Sequence, residues 1–290
     1  MIRNRRQKSL FGSRKSTDST RRTARKRRER RKLFMELLED RRLLAVFSWN
    51  GTTSDDWATV ANWTLDSGSD SDGIPDADDA VTVSSGVPNN PLLDGARDVG
   101  SLTGDGTVRT GASSSNVLTI GALNTDTTYS GTMVGSGQIA KTGTGVLTLT
   151  GTNSYAGGTT ISQGAIHIGS NSALGGGVVT LGDSNTGSND VALLATGGFA
   201  LGNSITVSNM GAGLATIGAI DVAAAEPNFN GVITLGRDVV LQAGSSDRTN
   251  FNAQITGTGN VTISSPFGER RIVDNPPSGA AKDFIGDVLS

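Results

Sequence analysis

Along most of the chain, apolar residues alternate with polar ones over four or five positions and are then interrupted by glycine or a polar cluster. The stretch GVLTLTGTNSYAGGTTISQGAIHIG, residues 145–169, shows this pattern twice, in VLTLTG and in AIHIG. Successive side chains of a β-strand point to opposite faces, so each stretch predicts a brief strand with one buried face and one polar face. Because no window carries a long helical stripe, the pattern predicts an all-β fold.

Two short motifs recur in the body of the chain, one of the form apolar-x-Gly-x-Gly-x-apolar and one an aromatic-x-Gly triplet. They start at Leu102, Met133 and Ile255, and at Tyr129, Tyr155 and Phe229. Such short strands cannot bury their apolar faces alone, so neighbouring copies must stack. The offset of 19 residues between VLTLTG and AIHIGS fits one coil of a parallel β-helix. A β-sandwich also uses short strands, but glycine corners favour the solenoid, whereas divergence of the repeats between residues 184 and 254 argues against it.

Composition agrees with short strands and tight corners. The 290 residues include 40 glycines, about twice the average usage. Aromatic residues make up 4% of the chain, which predicts an aliphatic core. The absence of cysteine excludes disulfides and thiolate metal sites.

Charge divides the chain into a basic tail and an acidic body. Residues 1–42 hold 17 Lys and Arg against 5 Asp and Glu, whereas the remainder holds 8 against 22. The stretch RRTARKRRERRKLF, residues 21–34, could neutralise phosphates as a nucleic-acid-binding arm, but the acidic body would repel a phosphate backbone. The tail has too few apolar residues to fold, which predicts disorder before about residue 30.

The end of the tail resembles the N-terminal signature of planctomycete extracellular proteins, a basic stretch followed by Leu-Glu-Pro-Arg-x-Leu-Leu and a small residue. The matching residues are Leu38, Glu39, Arg41, Leu43, Leu44 and Ala45. Asp40 stands where that signature has proline. The resemblance implies export, whereas the stretch is a poor conventional signal peptide because charges split its apolar run. A short helix on a disordered tail is the alternative.

All three tryptophans lie in WNGTTSDDWATVANW, residues 49–63. Exposed aromatic rings could stack on sugars, but a solenoid has an open end whose first coil must be covered. The pattern resembles the start of autotransporter-like passenger domains. We therefore predict that the tryptophans pack as an N-terminal cap.

An acidic loop, GSDSDGIPDADD, spans residues 68–79. Crowded carboxylates repel one another and favour a hard cation, so the loop is a candidate Ca²⁺ site. The candidate ligands are Asp70, Asp72, Asp76, Asp78 and Asp79. The loop resembles an EF-hand loop with Gly73 at the sharp turn, except that Gly68 replaces the first ligand. It also resembles a single thrombospondin type 3 calcium repeat, and a solvated acidic turn is the alternative.

The segment from Gly135 to Ser170 resembles the autotransporter-associated β-strand repeat. The matching positions are Gly135, Gly137, Lys141, Gly143, Gly145, Leu147, Leu149, Gly151, Asn153, Tyr155, Gly157, Gly158, Thr159 and Gly164. The resemblance implies a right-handed parallel β-helix that is secreted or exposed at the cell surface. It names no catalytic residue.

Candidate catalytic residues are scattered. His167, the single histidine, lies between two isoleucines that are predicted to point inward, so it should face solvent. The carboxylates outside the acidic loop lie singly in predicted turns; they include Asp94, Asp98, Asp183, Asp190, Asp221 and Asp238. No phosphate loop, zinc spacing or nucleophile elbow is present in the sequence.

These observations predict three regions: a basic tail and export segment (1–45), a cap with the tryptophans and the acidic loop (46–83), and a β-solenoid (84–290). The C-terminal DFIGDVLS shows no evident cap, which predicts a fragment, a truncated gene or a solenoid completed by a partner. We predict an exported, extracellular or cell-surface structural protein with adhesin-like properties and no catalytic activity. Its partners would be cell-surface components or polysaccharide, without nucleic acid and without a transmembrane segment. A β-helix polysaccharide-degrading enzyme is the alternative, and it requires an acidic cluster assembled across stacked coils.

Overall fold

The computed structural model describes residues 44–220, 226–244 and 248–264, together with the backbone of residues 271–274 and 285–287. The chain divides into two units, Met1–Arg41 and Arg42–Ser290, and the first unit lies wholly outside the described residues. The predicted disorder of the basic tail therefore stays a prediction.

The described residues form short β-strands and a single 3-10 turn, Val60–Asn62. The strands are β1 Val46–Trp49, β2 Trp63–Ser67, β3 Ala80–Thr82, β4 Arg97–Val99, β5 Ser101–Thr103, β6 Thr107–Arg109, β7 Val117–Ile120, β8 Thr127–Tyr129, β9 Thr132–Val134, β10 Gln138–Lys141, β11 Val146–Leu149, β12 Thr159–Ile161, β13 Gly164–Ile168, β14 Val179–Leu181, β15 Val191–Ala195, β16 Ala200–Leu201, β17 Ile205–Val207, β18 Ala215–Ala219, β19 Asn228–Phe229, β20 Ile233–Leu235, β21 Val239–Gln242, β22 Thr249–Phe251, β23 Ile255–Gly257, β24 Val261–Ser264, β25 Arg271–Asp274 and β26 Ile285–Asp287.

The strands stack into sheets that run along a parallel β-helix of about eight coils. Sheet I has the order β4-β7-β10-β12-β14-β17-β20-β23, sheet II β8-β11-β13-β15-β18-β21-β24, and sheet III β16-β19-β22-β25-β26. The cap sheet has the order β2-β1-β3-β5, and β6 pairs with β9. Among the described strands, β1/β2 and β25/β26 pair antiparallel and the other pairs are parallel. The predicted all-β solenoid is confirmed.

From β7 onward, each coil places one strand in sheet I and the next in sheet II. Val146 pairs with Ala165, which is the 19-residue offset visible in the sequence. The register continues through the region where the repeats diverge, because Val179 pairs with Ile205 and Ile205 with Ile233. The extra residues of these longer coils lie between the strands, so the ladder itself is unbroken.

The core is mainly aliphatic and is built from the inward positions of each strand, but Tyr129, Tyr155, Phe229 and Phe251 are also fully buried in it, so the prediction of an aliphatic core holds only in part. In sheet II the inward ladder consists of Leu147, Ile166, Leu193, Ile217 and Leu241, all at most 2% exposed. Burying an aliphatic side chain of this size contributes roughly 1.5–3 kcal/mol. Since each coil supplies only a few such residues, stability comes from stacking coils on one another.

The tryptophans pack inside the N-terminal cap. Trp49, Trp57 and Trp63 are 2%, 0% and 7% exposed, and the rings of Trp49 and Trp57 each lie 4.8 Å from Trp63 in edge-to-face arrangements. These rings are not available to stack on sugars, and the packing interpretation is confirmed. The cap sheet joins β1 and β3 to β5, so it crosses residue 83; the domain boundaries stay predictions.

Glycine corners allow successive coils to approach closely. A Cβ at Gly151 would lie 1.8 Å from the carbonyl oxygen of Gly131 on the preceding coil, well inside van der Waals contact. At Gly176, by contrast, a Cβ would meet nothing within 4 Å. Gly151 is therefore required because the two coils pack too closely for a side chain, whereas Gly176 has room for one.

We expect Gly151→Ala to lower the free energy of unfolding by about 1–3 kcal/mol, because the new methyl group must push two coils apart. Gly176→Ala is the matched control and should change stability by no more than about 0.5 kcal/mol. Urea unfolding of the full chain, followed by circular dichroism, measures both. Equal effects of the two substitutions would contradict the close-approach interpretation.

Candidate functional site

Three of the five aspartates predicted to bind calcium converge in the acidic loop. Asp70, Asp76 and Asp79 each offer a carboxylate oxygen, and these oxygens lie within 4.8 Å of one another. Asp79 is 4% exposed. Asp72 and Asp78 lie outside this converging group.

Backbone N–H groups hold the loop in shape. One oxygen of Asp70 accepts hydrogen bonds from the N–H groups of Gly73 (2.6 Å) and Asp72 (3.0 Å), and Gly73 has the positive φ of 77° that the sharp turn needs. Burial disfavours the charged form of Asp70, but these N–H groups outweigh burial and hold the pKa of its carboxyl below the ordinary value. Asp70 therefore stays negatively charged.

Asp79 has the opposite electrostatic balance. Burial raises the pKa of Asp79 above its ordinary value, and the neighbouring aspartates raise it further, although the N–H of Asp76 donates to its carboxylate at 2.9 Å. A cation beside the three carboxylates would remove this penalty, and oxygen ligands of this kind suit Ca²⁺. The geometry fits three of the five predicted ligands, and calcium binding stays a prediction.

The isolated aspartates of the solenoid bond to neighbouring coils. Asp190 accepts a hydrogen bond from the N–H of Leu214 (2.6 Å), and Asp238 accepts one from the N–H of Asn260 (2.8 Å). Asp183 accepts from the hydroxyl of Ser162 at 2.8 Å. These carboxylates thus form hydrogen bonds that connect adjacent coils. The sequence did not indicate this role, because the partners lie 21 to 24 residues away.

The remaining candidate catalytic residues do not form a cluster. Asp94 pairs with Arg97, Asp98 is exposed on β4, and Asp221 lies outside the described residues. His167 is half-buried on the outer side of sheet II, between two isoleucines that are fully buried. Burial lowers the pKa of His167, and the charge of Asp126 opposes the shift. In the described part of the chain, three or more metal-ligating side chains converge only in the acidic loop.

The outer side of sheet I presents a column of threonines on six of its eight strands. In register along the sheet they are Thr119, Thr160, Thr180, Thr206, Thr234 and Thr256, with Ala140 between the first two. We call this set the threonine column. The outer positions of sheet II are mixed, because Thr148 pairs with His167 and His167 with Leu194.

Between β10 and β13, polar side chains tie three coils together. Asn153 is 4% exposed; its Oδ1 accepts from the N–H of Met133 (2.7 Å) and its Nδ2 donates to the carbonyl of Ala173 (2.6 Å), one coil away on each side. The hydroxyl of Tyr155 lies 2.6 Å from that of Thr159. Burial raises the pKa of Tyr155 above its ordinary value, so the phenol stays neutral.

Lys141 lies in the interior, with 1% of its surface exposed. Its Nζ donates to the carbonyls of Thr142 (2.5 Å), Gly143 (2.7 Å) and Gln163 (3.3 Å), so the ammonium fills the corner of the coil. Burial lowers the pKa of Lys141 to about 8, and the charge of Asp126 opposes this shift. A lysine is ordinarily exposed to solvent, so its burial here is not expected from residue type. In the sequence, only the match to the repeat pattern distinguishes Lys141.

Lys141, Asn153, Tyr155 and Thr159 all belong to the repeat pattern, and each of them makes a hydrogen bond within the fold. Residues 139–168 match the family model described as Passenger-associated-transport-repeat. The match thus begins in β10 and ends with β13, which amounts to about one and a half coils. The resemblance to an autotransporter-associated repeat is thereby supported.

A longer similarity connects the chain to a bacterial autotransporter adhesin. It is 30% identical over 169 residues to the Adhesin BmaC autotransporter of Brucella suis biovar 1 (strain 1330). The match covers 57% of this chain but only 4% of that relative. No solved structure matches the chain.

Four of the six predicted export-signature residues, Leu38, Glu39, Arg41 and Leu43, lie outside the described residues. Of the other two, Leu44 is 46% exposed, whereas Ala45 is buried and its carbonyl accepts a hydrogen bond from the N–H of Ala80 at 2.9 Å. The structure thus incorporates Ala45 into the cap. Within the described residues, no helix has the length and apolar character needed to cross a membrane.

We expect calcium to stabilise the full chain by about 2.7 kcal/mol at roughly 100 times its dissociation constant, if the three converging carboxylates bind it. Asp79→Asn should abolish this response; in a chelator the variant should be at least as stable as the original chain, because it removes charge repulsion. Asp72→Asn is the matched control and should keep most of the response. Identical unfolding curves of the original chain in calcium and in chelator would contradict calcium binding.

Lys141 should make stability depend on pH in the alkaline range. Between about pH 8 and the ordinary lysine pKa of 10.5, the unfolded chain binds more protons than the folded chain, so stability should rise with pH. The slope from this one group is at most about 1.4 kcal/mol per pH unit. We expect the stability of the original chain relative to Lys141→Met to increase across this range, measured by urea unfolding. Parallel pH profiles would contradict the lowered pKa.

Proposed function

We propose that the chain is part of an exported, surface-exposed β-helix with adhesin-like function and no catalytic activity of its own. The observation that carries this proposal is the match of residues 139–168 to a passenger repeat in which Lys141, Asn153 and Tyr155 make hydrogen bonds within the fold. A scaffold of this kind displays long, regular outer faces. Repeated weak contacts along such a face can add up to firm attachment.

The bacterial relative supports adhesion as the function. That relative is named an adhesin and an autotransporter, and the similarity extends over 169 residues. The chain spans about 4% of that protein's length. That this chain shares the relative's adhesive function is therefore part of our proposal. The partners that we propose are cell-surface components or polysaccharide.

The enzyme alternative requires carboxylates on adjacent coils with oxygens free to act on a substrate. In the described solenoid, Asp183, Asp190 and Asp238 each accept hydrogen bonds from neighbouring coils. The converging group, Asp70, Asp76 and Asp79, lies in a loop of the cap, where bound calcium would stabilise the fold. These contacts favour a scaffold.

Export is the part of the proposal that can be tested first. Ala45 is buried and bonded to Ala80, so we expect the mature chain to begin near Val46 but no later than Ala45, which then stays in the cap. The measurement is N-terminal sequencing of protein recovered from the surface or medium of the native host, with protease treatment of intact cells. Loss of residues 1–42 and sensitivity to external protease support the proposal. An intact Met1 on protein confined to the cytoplasm would overturn it and favour a nucleic-acid-binding tail.

A further inference from the structure

The hydroxyl groups of the threonine column have no hydrogen-bond partner among the described residues. Two stacked pairs near the N-terminal cap do satisfy each other, since the hydroxyls of Thr82 and Thr103 lie 3.0 Å apart and those of Thr107 and Thr132 lie 2.9 Å apart. The stacked pair Thr128 and Thr148 of sheet II, like the column, makes no such bond among the described residues. In sheet I the hydroxyls remain available. A threonine hydroxyl can both donate and accept, so each coil offers a ligand one donor and one acceptor group.

The column is regular in one direction. Neighbouring strands of a sheet lie about 4.8 Å apart, so the seven coils from Thr119 to Thr256 span about 29 Å along the solenoid, with Ala140 as the one interruption. The five coils from Thr160 to Thr256 are uninterrupted. A ligand that follows the column must therefore repeat at nearly the spacing of the coils.

The positions that flank the column are mostly small or apolar, although the row continues to Asp98 of β4, which pairs with Thr119, and Arg237 bonds to the carbonyl of Ser208 at the edge of the face. Val178 and Val232, two positions before their column threonines, are 50% and 42% exposed, and glycine or serine follows two positions after Thr180, Thr206 and Thr234. In the described strands from β7 to β23, the outward positions of sheet I carry no charged side chain. This face belongs to a body that has an excess of acidic residues, which would repel an acidic polysaccharide, and its outward strand positions from β7 to β23 offer no charge to pair with a charged one.

We propose that the threonine column binds a neutral polysaccharide in an extended conformation, lying along the solenoid axis with successive sugars over successive coils. This inference rests on the proposed adhesive function and names its site and ligand class. Sugar hydroxyls would exchange hydrogen bonds with the free threonine hydroxyls, and the apolar faces of the rings would cover the threonine methyl groups and the exposed valines. Each contact is weak, and the length of the column provides the affinity.

A linear polymer fits the face better than a two-dimensional lattice does. A crystal surface would require a second regular column beside the first. The positions on one side are Gly158, Val178, Ser204, Val232 and Gln254, which share neither size nor chemistry. Regularity in a single direction therefore favours a single extended chain.

The test uses the full chain and measures its retention on suspended cellulose and chitin, with alginate as the acidic comparison. The column variant combines Thr180→Val, Thr206→Val and Thr234→Val, which keep the branched shape and remove three hydroxyls. The matched control combines Thr128→Val, Thr148→Val and Thr216→Val on the outer side of sheet II. Circular dichroism and the unfolding midpoint check the fold of each. Thr206→Glu, which places one charge at the centre of the face, is a second variant that tests the site independently.

We expect cellulose or chitin to retain the original chain and the sheet II control equally, at low and at high salt, because no charged group takes part. The column variant should bind about tenfold more weakly or worse, since it loses three hydrogen bonds. Thr206→Glu should weaken binding in the same direction. Unchanged binding of a folded column variant would overturn the proposal, as would retention on alginate alone.

Two other outcomes would also overturn it. If the original chain binds neither neutral polysaccharide yet attaches to cell surfaces, the adhesive function stands and the threonine column is not its site. If the original chain sediments as a dimer and the column variant as a monomer, a second copy of the chain covers the face. Absence of the protein from the cell surface would instead contradict the proposed function, whatever the polysaccharide assay shows.

Discussion

The parallel hydrogen-bond ladder between successive coils is the constraint on which the rest of the structure depends. Val146 pairs with Ala165, and the same register continues from coil to coil through sheet II. Because side chains alternate along a strand, a shift by one residue would move a buried leucine to solvent. The apolar ladder inside and the polar positions outside are therefore two results of one register, and any outer binding face inherits its spacing from the core.

Polar groups inside the fold mainly serve this stacking. Asn153 bonds to the coils on both sides, Lys141 fills a corner with its ammonium, and Asp190 and Asp238 bind backbone N–H groups of the next coil. Buried polar groups require partners, and here the partners are backbone groups that the corners would otherwise leave unpaired. The repeat pattern thus describes a way of building coils and carries no reactive chemistry.

The sequence predicted the strands, the coil length and the buried tryptophans, because these follow from alternation and local composition. It did not predict the hydrogen bonds by which Asp190 and Asp238 connect adjacent coils, because their partners lie a full coil away. Nor did it reveal the threonine column, since coils of unequal length hide the regular spacing: Thr160 and Thr180 are 20 residues apart, whereas Thr206 and Thr234 are 28 apart. Which aspartates of the acidic loop converge depends on turn geometry that composition does not determine.

The unequal coils show that circumference and pitch are separate properties of this fold. Residues added between Val179 and Ile205 lengthen the perimeter of one coil, yet the two strands remain neighbours in sheet I. Insertions at corners can therefore alter the outline of the molecule while the rise per coil stays fixed by the backbone. Such a protein can acquire new surface loops by small genetic insertions without losing its existing faces, so shape and ligand preference can diversify while the scaffold is retained.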